Sequence, residues 1–189
     1  MGLFDVLSAF GLSASAGLNA YIPLLVVALL AKFTNTVTLN PPWDALTSWW
    51  VIGLLAVLSV VEFFADKVPA VNHANDLIQT LVRPVAGAIV FASSAKIISD
   101  VHPVLALSLG LFVAGSVHTV KSVAVRPAVT ATTAGAGNVP VSVLEDVIST
   151  AVSFLSILVP VVFSILLLLV AAWLIWRFVI RRRRRVSNA

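Results

Sequence analysis

The chain has 189 residues, 60% of them hydrophobic and 11% charged, with a mean hydropathy of +1.07. Soluble domains are about 45–50% apolar and about 25% charged, and one core of this size cannot hide the excess. The surplus has to face lipid, which excludes an ordinary cytosolic enzyme and a disordered chain, while the lack of cysteine excludes a disulfide scaffold. The formal charge of +4 comes from the C-terminus: Arg181 to Arg185 supply five of twelve cations, leaving seven against eight acids, or −1. No nucleic-acid surface is expected in the body of the chain.

The first apolar run, Leu3 to about Phe33, exceeds the ~20 residues that one crossing needs. Ala14-Ser15-Ala16 mimics a signal-peptidase site, but no Lys or Arg precedes it, so a retained span is expected. Pro23 lacks a backbone donor, which predicts a kink or break near Asn19–Pro23. Gly11, Ser13, Ser15 and Gly17 either serve close helix packing or flank a substrate-lining break. Thr34 to Pro42 reads as a loop. Trp43, Trp49 and Trp50 suit an interfacial belt at the start of a span from Leu46 to Phe64.

Val68 to Val82 reads as a half-buried or re-entrant helix, broken by Arg83-Pro84, with Val85 to Ile98 a short further segment. A fourth run follows His102-Pro103 to about Val129 and turns polar in its second half. Thr130 to Pro140 reads as a loop. Ser142 to Ile180 is helical by pattern, interrupted at Pro160, and Val161 to Ile180 alone makes a complete span. The whole stretch is close to twice a bilayer's needs at about 1.5 Å per residue, so it is tilted, bent or protruding. Trp173 and Trp176 form a second belt before Arg177 and the arginine run, which the positive-inside rule places in the cytoplasm. The same arginines would also suit anionic lipid head groups.

A shift of 98 positions superposes Ala16-Gly17 on Ala114-Gly115, Thr34 on Thr132, Pro42 on Pro140 and Leu46 on Leu144. The expected organisation is one transmembrane domain, residues 1–180, with repeat halves 4–66 and 102–165 and a basic tail at 181–189. An odd number of crossings between the halves would invert them, as in many transporters.

Charges inside spans cost several kcal/mol and normally face protein or water. Here they fall in two zones. Glu62 and Asp66 lie one helical turn apart, with Lys67 and His73 nearby, and Asn72, Asp76, Thr80 and Arg83 share a face. His118, Ser122 and Arg126 share another, with Lys121 beside them, and Glu145, Ser149, Ser153 and Ser156 form a polar stripe. The stripes either close into a substrate or ion path, or form structural pairs such as Asp76 with Arg83 and Glu145 with Arg126. Asp66-Lys67 and Glu145-Asp146 could equally be solvated helix-end caps. Lys67 and Arg83 argue against a divalent metal held by His73, Asp76, Glu62 and Asp66. There is no GxSxG elbow, Walker loop or GxGxxG, so neither an enzyme nor a cofactor is expected. Lys121 and Arg126 beside a polar helix break suit a phosphate or carboxylate.

The run Val61 to Pro69, with Asn75-Asp76, Val82 to Gly87, Ala16 to Tyr21 and the Lys121/Arg126/Glu145-Asp146 group, carries a further signal. These motifs resemble an uncharacterised bacterial multi-spanning membrane family known only as a domain of unknown function. That resemblance implies a bacterial membrane protein and brings no activity with it. The expected fold is an all-α transmembrane bundle of about five spans with broken or re-entrant helices. The expected function is a small inner-membrane transporter or channel-like permease, a homodimer with a cytoplasmic C-terminus, for an anionic or phosphate-bearing solute or lipid head group. Its candidate substrate-binding residues are Asn19, Glu62, Asp66, Asp76, Arg83, His118, Lys121, Arg126, Glu145 and Asp146. The rivals are a non-transporting membrane subunit whose charges only pair helices, and a lipid-modifying enzyme.

Overall fold

The computed structural model describes residues 3–67, 69–94 and 102–159, together with residues 169 and 173; at residues 3–4 and 69–74 it describes the backbone alone. The chain divides into a unit Met1–Ile157 and a second unit Leu158–Ala189. The expected span Val161 to Ile180, the bend at Pro160 and the arginine tail lie in the second unit, largely outside the described residues.

The described elements are helical: α1 Leu3–Leu18, α2 Tyr21–Phe33, α3 Trp49–Ala65, α4 Pro69–Ser93, α5 Pro103–Thr133 and α6 Asn138–Val159, with a 3-10 turn at Trp43–Thr47. The fold class is an all-α helical bundle. Asn75–Ser93, α5 and α6 are long and apolar enough to cross a membrane, whereas α1, α2 and α3 are shorter apolar helices.

Several helix ends follow from single residues. Asn19 breaks the first apolar run as expected, because its Oδ1 accepts from the Tyr21 and Ile22 amides and so caps α2. The Ser48 hydroxyl caps α3 by accepting from the Val51 amide. Ala134, in the left-handed region at φ 49°, and Gly135 at φ 89° end α5.

Two expected breaks are absent. Arg83-Pro84 does not split α4, which is a single helix through Pro84. A proline inside a helix costs about 3 kcal/mol, but both flanks of Pro84 are held: Arg83 by charges, and Ala86, Gly87 and Ala88 by α5. Nor does Thr130 open a long loop. Helix α5 continues to Thr133 and α6 starts at Asn138, so Pro140 sits in a first turn, where no donor is missed.

Beside an apolar core that includes Leu12, Val27, Val90 and Phe91, the interior holds many polar and small residues, and the periphery is apolar. Ser13, Ser15, Ala16, Asn19, Ser142, Ser149 and Ser153 are buried, while Leu77, Leu81, Phe112 and Val147 point outward and Trp50 is 91% exposed. In water this arrangement would cost large apolar exposure; in a bilayer it puts hydrocarbon on hydrocarbon. Three helices long and apolar enough to cross a membrane, with apolar outer faces, are consistent with a bilayer environment. Trp49 and Trp50 are exposed as a belt requires, but Trp43 turns inward against Ala9, Phe91, Ala92 and Ala106.

Close approach of α1, α4 and α5 orders the bundle. A Cβ on Gly110 would fall 2.4 Å from the Gly87 carbonyl, and one on Gly17 would fall 2.6 Å from the Ala114 carbonyl. The Ser13 hydroxyl lies between the Gly110 and Gly87 carbonyls, 2.8 and 3.2 Å away. Ser15 meets the Ser149 and Ser153 hydroxyls of α6 at 2.8 and 2.7 Å. The small residues of α1 therefore serve packing.

Candidate functional site

Four helices bring charge to one level of the bundle. Helix α3 delivers Glu62 from its last turn and Asp66 from just beyond; α4 delivers Arg83; α5 delivers His118, Lys121 and Arg126; α6 delivers Glu145; and the α1–α2 break sits alongside. Local structure of α5 explains two of these placements. Its α-helical hydrogen bonding gives way to a π turn over Lys121–Val125, followed by Arg126-Pro127. Pro127 cannot donate, and a wider turn is a common resolution. The wider turn also brings Lys121 and Arg126, five residues apart, round to a shared set of carboxylates.

The network is buried. Arg83 is fully enclosed, and its Nη2 lies 2.8 Å from Glu62 Oε1 and 3.8 Å from Asp66 Oδ2. Lys121 Nζ is 2.9 Å from Glu145 Oε2 and 3.8 Å from Asp66 Oδ2. Arg126 Nη2 is 3.0 Å from both Asp66 Oδ2 and Glu145 Oε2. Asp66 is thus the hub, touching three cations with one oxygen, while its Oδ1 accepts from Asn75 Nδ2 at 2.7 Å. Ser142 donates to Asp66 Oδ2 at 3.2 Å, and Lys121 donates to the Leu18 carbonyl at the end of α1 at 3.0 Å. Breaking one partner out of such a cluster leaves a charge in a low-dielectric interior, typically worth several kcal/mol.

Histidine extends the network without adding charge. Arg83 Nη1 donates to His118 Nδ1 at 3.2 Å, so the ring proton sits on Nε2, 3.2 Å from Thr80 Oγ1. On the other flank, Asn19 Nδ2 donates to Asp146 Oδ1 at 3.0 Å, and Lys67 Nζ stands 3.6 Å from Asp146 Oδ2. Beside Glu62, next to Tyr21, the buried atoms Glu62 Oε2, Gln79 Oε1 and Arg83 Nε have no hydrogen-bond partner.

A cavity of about 700 Å³ opens beside the network, between the start of α4, the second half of α5 and the start of α6. Asp66, Lys67, Asp76 and Arg126 line it, with Ser122 and Thr130 as further polar groups. It lies near one end of the bundle: Glu145 is seven residues, about 10 Å, along α6.

Seven of the ten sequence-derived residues, Glu62, Asp66, Arg83, His118, Lys121, Arg126 and Glu145, join the connected network, while Asn19 and Asp146 form a separate group with Lys67. Asp76 joins neither; it stands on the cavity wall. The Arg126–Glu145 pair forms, but Arg83 pairs with Glu62 and not with Asp76. Seven residues along a helix separate Asp76 from Arg83 by about 10 Å of rise, too far for contact. Asp66 and Glu145 are buried and no mere solvated caps. Asn75, Thr80 and Ser142 also contact the network, and Lys67 contacts Asp146; sequence reasoning did not place these four in the site. One shared signal was available: both buried arginines precede a proline within a helix, Arg83-Pro84 and Arg126-Pro127. The side chains of Asn72 and His73 lie outside the described residues. Among the described residues, no three His, Asp or Glu side chains converge as metal ligands would.

A family model described as Domain of unknown function (DUF4126) matches residues 6–180, and the chain belongs to that family. No curated protein and no solved structure matches the chain.

Proposed function

We propose that this member of the family is a small membrane permease, with the cavity as its solute-binding chamber and the buried charge network as the wall that moves or titrates during passage. The observation that carries this reading is the contact between the two: Asp66 and Arg126 belong to the network and also line the cavity. A solute that competes for either group would loosen helices α3, α5 and α6 together, which is how binding energy couples to conformational change. Broken helices meeting at a charged site are a recurrent transporter plan. We place the protein in a bacterial inner membrane with the arginine tail in the cytoplasm, from the positive-inside rule.

An anion at Arg126, the expectation from sequence, would meet a guanidinium whose Nη2 is already 3.0 Å from both Asp66 and Glu145. A second reading is favoured by the same pairing. If the network serves only to lock helices, the protein is a membrane scaffold or subunit, and the cavity is incidental. Purified protein in phospholipid vesicles distinguishes the two. Uptake of radiolabelled lysine, glutamate and inorganic phosphate is compared with protein-free vesicles and with Ala131→Trp, which plugs the cavity. The permease reading expects uptake of at least one solute, lost on plugging. Folded protein that passes none of them leaves the scaffold reading.

A further inference from the structure

The charge count around the cavity names the sign of its occupant, on the premise that the chamber is a solute site. Among the described residues of the network, its flank and the cavity wall, four cations, Lys67, Arg83, Lys121 and Arg126, accompany five carboxylates, Glu62, Asp66, Asp76, Glu145 and Asp146, a balance of −1. His118 is held neutral by accepting from Arg83. Every one of the four cations already has a carboxylate: Asp146 at 3.6 Å, Glu62 at 2.8 Å, Glu145 at 2.9 Å and Asp66 at 3.0 Å. The carboxylate left over is Asp76, half-buried on the cavity wall and in no ion pair among the described residues. Arg126 feels its charge but is engaged by Asp66 and Glu145.

Size and lining narrow the class. About 700 Å³ is far more than the ~30 Å³ share of a water molecule. It falls within the roughly 300–1,000 Å³ of organic ligand pockets. Pro127, Ala131 and Val139 add apolar surface to the charged lining. We propose that the cavity binds a small organic cation, its ammonium or guanidinium group on Asp76 and its hydrocarbon body against Pro127, Ala131 and Val139. Such a ligand completes the charge balance and displaces no internal pair.

The test uses the purified full chain in detergent at pH 8, where histidines are neutral, with ionic strength held constant. Butylammonium, its near-isostere butyrate and inorganic phosphate are titrated while the melting temperature is followed. Butylammonium raises it in a dose-dependent way. Asp76→Asn leaves the unliganded melting temperature unchanged and weakens the response at least about tenfold, equivalent to about 1.4 kcal/mol. Val139→Trp, which fills the cavity from its wall, removes the response independently. No rise with butylammonium, or an undiminished rise in both variants, overturns the proposal. A rise with butyrate or phosphate alone also overturns it and gives the cavity to an anion. Permeation of glutamate or phosphate in the vesicle assay, without butylammonium binding, removes the cation and leaves the permease. Binding without permeation removes the permease and leaves the cation site.

Discussion

Two regions hold α4 and α5 to their neighbours by opposite means. The seam of Ser13, Gly17, Gly87, Gly110 and Ala114 joins α1, α4 and α5 by leaving side chains out, so that backbone approaches backbone. The network of Glu62, Asp66, Arg83, Lys121, Arg126 and Glu145 joins α3 to α6 by putting charges in, where each is tolerable only because the others are present. The seam is therefore vulnerable to additions and the network to removals. On the permease proposal, function belongs with the second kind, because a set of mutually dependent charges can be re-partnered by a proton or a solute, while a glycine contact has only one packed state.

The sharpest way to break this contrast is at the hub. Asp66→Ala removes the carboxylate shared by Arg83, Lys121 and Arg126 and leaves Ser142 and Asn75 without their acceptor. A loss of about 3–5 kcal/mol is expected, from leaving buried charge uncompensated. Denaturation of detergent-solubilised protein measures it, and a loss below 1 kcal/mol would mean that water reaches the cluster. The companion is a cycle on the most enclosed pair. Glu62→Gln and Arg83→Gln should each destabilise, and the double variant should lose less than their sum by about 0.5–3 kcal/mol. Additive losses would show that Arg83 is held by Asp66 and His118 instead.

At the seam the sign of the perturbation reverses. Gly110→Val adds atoms where a Cβ alone would already lie 2.4 Å from the Gly87 carbonyl. Overpacking of about 1–3 kcal/mol is expected, read as a lower melting temperature. An unaffected protein would mean that α4 and α5 can slide apart freely, and the seam would then not be a fixed contact.

These two regions were legible in the sequence to different degrees. The α1 side of the seam was readable, since Gly11, Ser13, Ser15 and Gly17 fall in one apolar run and suit close packing or a substrate-lining break, while Gly87 and Gly110 carried no such signal. For the network, the residue set was readable but the pairing was not. Charges in an apolar chain announce themselves, yet helical spacing relates residues only within one helix. Spacing aligned Asp76 with Arg83 but could not say that α3 would bring Glu62 to Arg83, or that a π turn would bring Lys121 and Arg126 together. Pro84 and Thr130 misled for a related reason. Local breakers set a cost, and contacts made elsewhere outweigh it: Gly87 against Gly110 on α4, and Thr130 against Asn138 across the α5–α6 turn.

The smallest expected effect tests whether glycine itself or its place matters. Gly53 lies in α3 on the outward face, and a Cβ added there meets nothing within 4 Å. Its neighbour Leu54 is exposed as well, so this part of α3 faces lipid. Glycine inside a helix is worth roughly 0.5–1 kcal/mol less than alanine, because it has more backbone freedom to lose. Gly53→Ala should therefore raise the melting temperature slightly, where Gly110→Val lowers it, and should leave solute binding alone. Both variants add side-chain atoms to a helical glycine, so opposite signs isolate the neighbour as the cause. If Gly53→Ala is destabilising, something covers that face of α3 in the membrane, a second copy of the chain or another protein, and cross-linking from position 53 would identify it.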